Sequence, residues 1–238
     1  MFVSYKESTA PSWLISALIE NQIEGVPASL NRGGSMIDHS ISKNTVIISS
    51  FVHDQNFFGT SLQKLKINPQ RYKFIDFFTN FVVQYLNKPK DQILVSLLNS
   101  FPDNSNTEEP TTIIIECPEL LLFLIPGLTS DELQLNFINP LSKKCGLLII
   151  VSSIESFNND GTAMDKDSIQ LNRFILSCFY KSIAVLSLKP LDTGRARDVT
   201  GTLKISKGGK SQEILPLQVV ENEYLYHTAK DNTKLFFR

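Results

Sequence analysis

The side chain best placed to do chemistry is Glu116. It follows an uninterrupted β-branched run, residues 112–115, inside the stretch TTIIIECPELLLFLIPGL. Such a run suits a central strand buried on both faces. An acid at the end of that strand is where a nucleotide hydrolase keeps a magnesium-positioning carboxylate. Pro118 and Glu119 fit the first turn of a following helix, where a missing amide hydrogen is harmless and negative charge is favoured. Two readings of Glu116 stand side by side: a degenerate Walker B acid, or a polar strand end satisfied by local structure. Glu119 reads as structural.

A magnesium-positioning acid needs a phosphate cradle upstream. The turn after the first strand reads Lys6-Glu7-Ser8-Thr9-Ala10-Pro11-Ser12. The GxxxxGK[ST] pattern is absent, and the first glycine of the chain is Gly25. Without glycine the backbone cannot easily turn successive amide hydrogens onto a phosphate. Pro11 removes one such donor, Glu7 would repel the anion, and Lys6 precedes the turn. The expectation is no triphosphate in the usual cradle, no catalytic residue and no metal site. His39, His53 and His227 have no metal-ligand spacing with Cys or with one another. His53 is expected to sit at the surface, capping the next helix together with Asp54. Neither a GxSxG elbow nor a GxGxxG after a strand is present, and Cys178 lies in an apolar helix.

Arg195 and Arg197, in GRARDVTG, suit a planar fork to phosphate, on RNA or on a nucleotide held by a neighbouring subunit. A salt bridge to Asp192 or Asp198 is the alternative. Lys204, Lys207 and Lys210 continue this basic stretch, and with Lys166 they are the candidate RNA contacts. Phe57, Phe58, Phe77, Phe78, Phe81, Phe236 and Phe237 read as core or interface rather than base-stacking platforms.

Composition sets the class. The chain has 238 residues, 42% hydrophobic and 20% charged, enough to bury a sizeable core, with no disorder signature. A net charge of -1 gives no global pull toward nucleic acid or membrane. The charge is uneven: residues 91–142 hold eight acids and no Lys or Arg. Residues 62–90 and 189–210 hold six bases each, against one and two acids. Separate acidic and basic surfaces would suit head-to-tail packing of related subunits; unevenly charged solvated faces are the plainer reading. The three cysteines form no CxxC pair and read as reduced thiols of an intracellular protein. No apolar run approaches a membrane span of roughly 20 residues.

The elements that position these residues alternate. Strands are expected at 2–5, 45–51, 72–78, 111–116, 147–152 and 182–188. Helices are expected at 11–24, 53–65, 89–101, 130–144, with Ser130 as N-cap, and 168–179. Residues 81–85 could carry the third strand on into a helix. Residues 26–44, 102–110 and 153–167 read as loops, the first of them mobile. Alternating strands follow at 198–207, 217–227 and 233–237, with Gly208-Gly209 as a tight turn. This is an α/β plan with a mainly parallel sheet, extended by antiparallel hairpins at the C-terminal edge, in one domain over residues 1–238.

The chain resembles the family of sixth Elongator subunits, most closely its fungal branch. The resemblance is carried in order by PSWL (11–14), FVHDQNFF (51–58), SLQKLKI (61–67), ECPELLL (116–122), GLT (127–129), DVTGTL (198–203), VENEYLY (220–226) and TKLFFR (233–238). Fungal members carry a longer segment ahead of the first strand. The resemblance implies a RecA-like fold without a Walker A loop. It implies a hetero-hexameric ring with the fourth and fifth Elongator subunits, two copies of each, serving the catalytic Elongator subcomplex in cytoplasm and nucleus. That ring binds tRNA and hydrolyses ATP, regulating tRNA release during wobble uridine (U34) modification. This subunit alone would bind no cofactor, with ATP at ring interfaces. By position in such a ring, the segments 118–129 and 153–167 would face the central opening, and Lys166 is their only base.

Overall fold

The computed structural model describes residues 1–6, 8–30, 44–85, 87–103, 110–155, 165–191, 194, 196–210, 218–229 and 232–237. The strands are β1 (Phe2–Tyr5), β2 (Thr45–Ser50), β3 (Tyr72–Asp76), β4 (Thr111–Glu116), β5 (Leu147–Ser153), β6 (Ala184–Lys189), β7 (Gly201–Lys207), β8 (Asn222–Ala229) and β9 (Asn232–Phe237). They form one sheet in the order β3-β2-β4-β5-β1-β6-β7-β8-β9. The first six are parallel, and β7, β8 and β9 add antiparallel. The expected mainly parallel sheet with a hairpin extension is therefore present.

All six residues of β4 are buried, because helices cover both faces of the sheet. On one face α1 (Ser12–Glu24) and α2 (Gln55–Lys64) lay Ile15, Ile19, Phe58 and Leu62 against Val3, Ile48, Ile114 and Ile149. On the other lie α3 (Phe77–Tyr85), α4 (Lys90–Asn99), α5 (Leu121–Leu124), α6 (Ser130–Leu133), α7 (Asn139–Lys143) and α8 (Lys166–Lys181). From these, Phe77, Leu94, Leu133 and Phe174 meet Ile47, Ile113, Ile115 and Ile150. The run of isoleucines in β4 thus feeds both cores in alternation, which is why it is unbroken rather than amphipathic.

Several boundaries differ from expectation. The third strand stops at Asp76, whose carboxylate accepts the Thr79 amide hydrogen at 2.8 Å and starts α3. Thr129, not Ser130, caps α6 through a reciprocal box with Glu132. A π-turn, Gln134–Ile138, joins α6 to α7. As expected, Pro118 and Glu119 open helical structure, here a 3-10 turn (Pro118–Leu120) that runs into α5. Asp165 caps α8, which begins two residues early. Gly208-Gly209 is not a two-residue hairpin, since β8 starts only at Asn222. A Cβ on Gly208 would lie 2.0 Å from the Ser182 carbonyl oxygen, so glycine is required there for close approach. The expected mobility of 26–44 concerns mainly residues 31–43, which lie outside the described residues, as do 104–109 and 156–164.

Candidate functional site

The parallel strands end together along one edge, where open α/β sheets hold their ligands. Register sets Ser50 of β2 directly opposite Glu116 of β4. The Ser50 hydroxyl donates to Glu116 Oε2 at 2.6 Å. The same oxygen lies 2.9 Å from His53 Nδ1. Ser50 Oγ in turn accepts the amide hydrogens of Val52 and His53, at 3.1 and 2.9 Å. The His53 ring stacks on Phe57, with centroids 3.8 Å apart. Asp54 alone caps α2, accepting the Phe57 amide hydrogen. The imidazole expected to help cap that helix faces the carboxylate instead.

The chain leaves β4 through Cys117 at φ 53°, the left-handed region that side-chain-bearing residues seldom occupy. This turn sets Glu119 beside the end of β5. Glu119 is 4% exposed, and its Oε1 accepts the Ser153 amide hydrogen at 2.9 Å. Its Oε2 has no partner among the described residues. Burial lifts the Glu119 carboxyl to about 7, with hydrogen bonding opposing that rise. Tyr5, the last residue of β1, sets its hydroxyl 3.2 Å from Cys117 Sγ. Burial pushes both the phenol and this thiol up, with the neighbouring acids adding to it. Glu119 was expected in the first turn of a helix, where negative charge is welcome. It stands instead in a buried place where charge is penalised.

The remaining candidates disperse. Lys166 opens α8 at this edge and is exposed. Lys204 lies mid-strand in β7, opposite Ser187. Lys207 pairs with Ala184 at the start of β6, and Lys210 donates its amide hydrogen to Ser182. Both therefore sit at the opposite end of the sheet, so the four lysines form no single patch. Arg197 is exposed on the approach to β7, and Arg195 lies outside the described residues. Cys178 is buried, its thiol pushed up to about 12 by desolvation, and so is a poor nucleophile. Among the described residues no group of three or more His, Cys, Asp or Glu is placed to hold a metal ion. Of the phenylalanines, Phe58, Phe77 and Phe81 are core, whereas Phe57, Phe78, Phe236 and Phe237 are exposed.

No family model matches the chain. A relative does: Elongator complex protein 6 of Saccharomyces cerevisiae, 44% identical over 241 residues, covering all of this chain and 88% of the yeast protein. The chain belongs to the Elongator complex protein 6 family. Among solved structures it is similar to flagellar accessory protein FlaH from Methanocaldococcus jannaschii, with a TM-score of 0.56 at 11% identity over all of this chain and 88% of that one. That likeness concerns the fold, which is RecA-like. Within this family member, sequence reasoning found Glu116 but missed its two partners. The available signal was local: Ser50 ends one apolar run, Glu116 ends the next, and His53 follows Ser50 by three residues.

Proposed function

We propose that this chain is a non-catalytic subunit of the Elongator hexameric ring. With the fourth and fifth subunits, two copies of each, it would support tRNA binding and ATP-regulated tRNA release during wobble uridine modification by the catalytic subcomplex, in cytoplasm and nucleus. Residues 1–238 act as one RecA-like unit.

The observation that carries the non-catalytic part is the cluster of half-buried Tyr5 with buried Cys117 and Glu119 at the carboxyl ends of β1 and β4. A phosphate held there needs inward-pointing amide hydrogens and a cation. Glu119 instead brings an acid, with Glu116 close enough to add to its field. No described base makes a hydrogen bond or ion pair with Glu119. The site repels an anion, so any ATP belongs to ring interfaces. Arg195 and Arg197 are the side chains we assign to a neighbour's nucleotide, and Lys166 is the RNA contact favoured by its place at this edge. The test is co-expression with the two sister subunits and native mass measurement. A hexamer with two copies of this chain is expected, with no ATP turnover by the chain alone. A lone particle, or robust turnover without partners, overturns the reading.

A divergent ATPase centred on Glu116 is the second reading, favoured by its buried carboxylate at the end of the central strand. It requires Glu116→Gln to abolish ATPase activity of the assembled ring while leaving assembly intact. Unchanged turnover removes it.

A further inference from the structure

Ahead of β7, residues 196–200 form an irregular stretch that ends on Thr200. The sequence here is GRARDVTG, which sets Arg197 three residues ahead of Thr200 and Arg195 five residues ahead. Ala196, Arg197, Asp198 and Thr200 are exposed, and Val199 is half-buried. Among the described residues, no backbone hydrogen bond holds residues 196–199. The Arg197 side chain likewise makes no hydrogen bond or ion pair among the described residues. The salt bridge to Asp198 that its sequence position allowed is not formed.

Thr200 itself is anchored. Its amide hydrogen goes to the Tyr226 carbonyl oxygen at 2.7 Å. Its Oγ1 accepts the Thr228 amide hydrogen at 3.0 Å. The hydroxyl therefore serves the fold as an acceptor, and its proton has no acceptor among the described residues. A phosphoryl group on Oγ1 would replace that proton and bring further acceptor oxygens to the same amide. The fold thus holds an exposed hydroxyl at a fixed place, behind a free arginine on a segment that no ladder restrains. A guanidinium in solvent suits a planar fork to carboxylates on another protein. A kinase that reads basic residues through its own acids, with the substrate chain extended, meets both features here.

We propose that Thr200 is the phosphate acceptor of an arginine-directed serine/threonine protein kinase. In the transfer, Thr200 Oγ1 attacks the γ-phosphorus of magnesium-bound ATP. The bond from that phosphorus to the β–γ bridging oxygen breaks and ADP leaves. The hydroxyl proton passes to the catalytic carboxylate of the kinase. The product carries roughly -1.5 to -2 charge at pH 7. Residues 189–210 hold six bases and two acids, so the modification cancels about half of their excess. It belongs to the unassembled chain, where the stretch is exposed, and does not depend on assigning Arg197 to a neighbour's nucleotide.

The test incubates folded, full-length protein with magnesium-ATP and a kinase of the protein kinase B type, which reads arginines three and five residues ahead of its acceptor. Tandem mass spectrometry then locates the phosphate. Incorporation on Thr200 is expected, absent from Thr200→Val and restored in Thr200→Ser. Arg197→Ala should slow incorporation about tenfold, the scale of one charge-assisted pair lost to the kinase. Far-UV circular dichroism checks that each variant folds, and Arg197→Ala decides the matter if Thr200→Val does not fold. No incorporation into the folded chain overturns the proposal. So does incorporation only after heat denaturation, phosphate solely on other residues, or an unchanged rate in Arg197→Ala.

Discussion

Two carboxylates three residues apart, Glu116 and Glu119, occupy contrasting surroundings. Glu116 faces β2, and its Oε2 is met by the Ser50 hydroxyl and the His53 imidazole. Glu119 faces β5, and among the described residues the Ser153 amide hydrogen is its one geometrically sound donor. Both are at most 4% exposed. Burial alone therefore does not define the state of an acid; the donors brought to it by neighbouring strands do. The left-handed turn at Cys117 separates the two environments. It sends the first acid to one neighbouring strand and the second to the other.

The largest expected effect concerns Glu119. Its carboxyl titrates near 7 when folded, against an ordinary value of 4.5. The unfolded chain therefore releases this proton at lower pH than the folded chain. Between about pH 4.5 and 7 the folded state binds more protons, so stability falls as pH rises through that window and levels off above it. The full penalty is about 3 kcal/mol. Urea unfolding of Glu119→Gln across pH 5 to 8 should lack this slope, whereas the unsubstituted chain should show it. Equal slopes would erase the contrast between the two acids.

Glu116→Ala comes next. It strips an acceptor from both Ser50 and His53, and should cost about 2–3 kcal/mol by urea unfolding at pH 7. Glu116→Gln keeps an oxygen acceptor and should cost roughly 1 kcal/mol. A neutral Glu116→Ala would mean that the hydroxyl and imidazole find other partners.

His53→Ala removes one partner and the Phe57 stack, and should cost about 1 kcal/mol. Ser50→Ala should cost a similar or slightly smaller amount, because its hydroxyl also accepts two amide hydrogens that lie nearer water. A double-mutant cycle between His53 and Glu116 sharpens the contrast further: a coupling above about 0.5 kcal/mol is expected, and strict additivity contradicts the pairing.

Charge shows the same lesson on a larger scale. The base-free run 91–142 suggested a separate acidic surface. In the fold, Lys90 of the basic run bonds Glu132, Arg173 pairs with Asp131, and Lys144 pairs with Asp103. Glu116 and Glu119 are buried. Five of the eight acids are thus paired or withdrawn, and the segregation seen along the chain is largely undone in space.

The nine strands, the parallel-then-antiparallel plan and the buried centre at β4 were legible in the residues, because backbone preference and burial repeat over a few positions and leave a local pattern. The same holds for Glu116 as the acid of the central strand. The fold alone decided the partner of that acid, the burial of Glu119, the scattering of Lys166, Lys204, Lys207 and Lys210, and the close approach at Gly208. These depend on strand register and on which helix covers which face. They join residues 63 to 66 positions apart in the case of His53 and Ser50 with Glu116, and no local periodicity encodes such a distance.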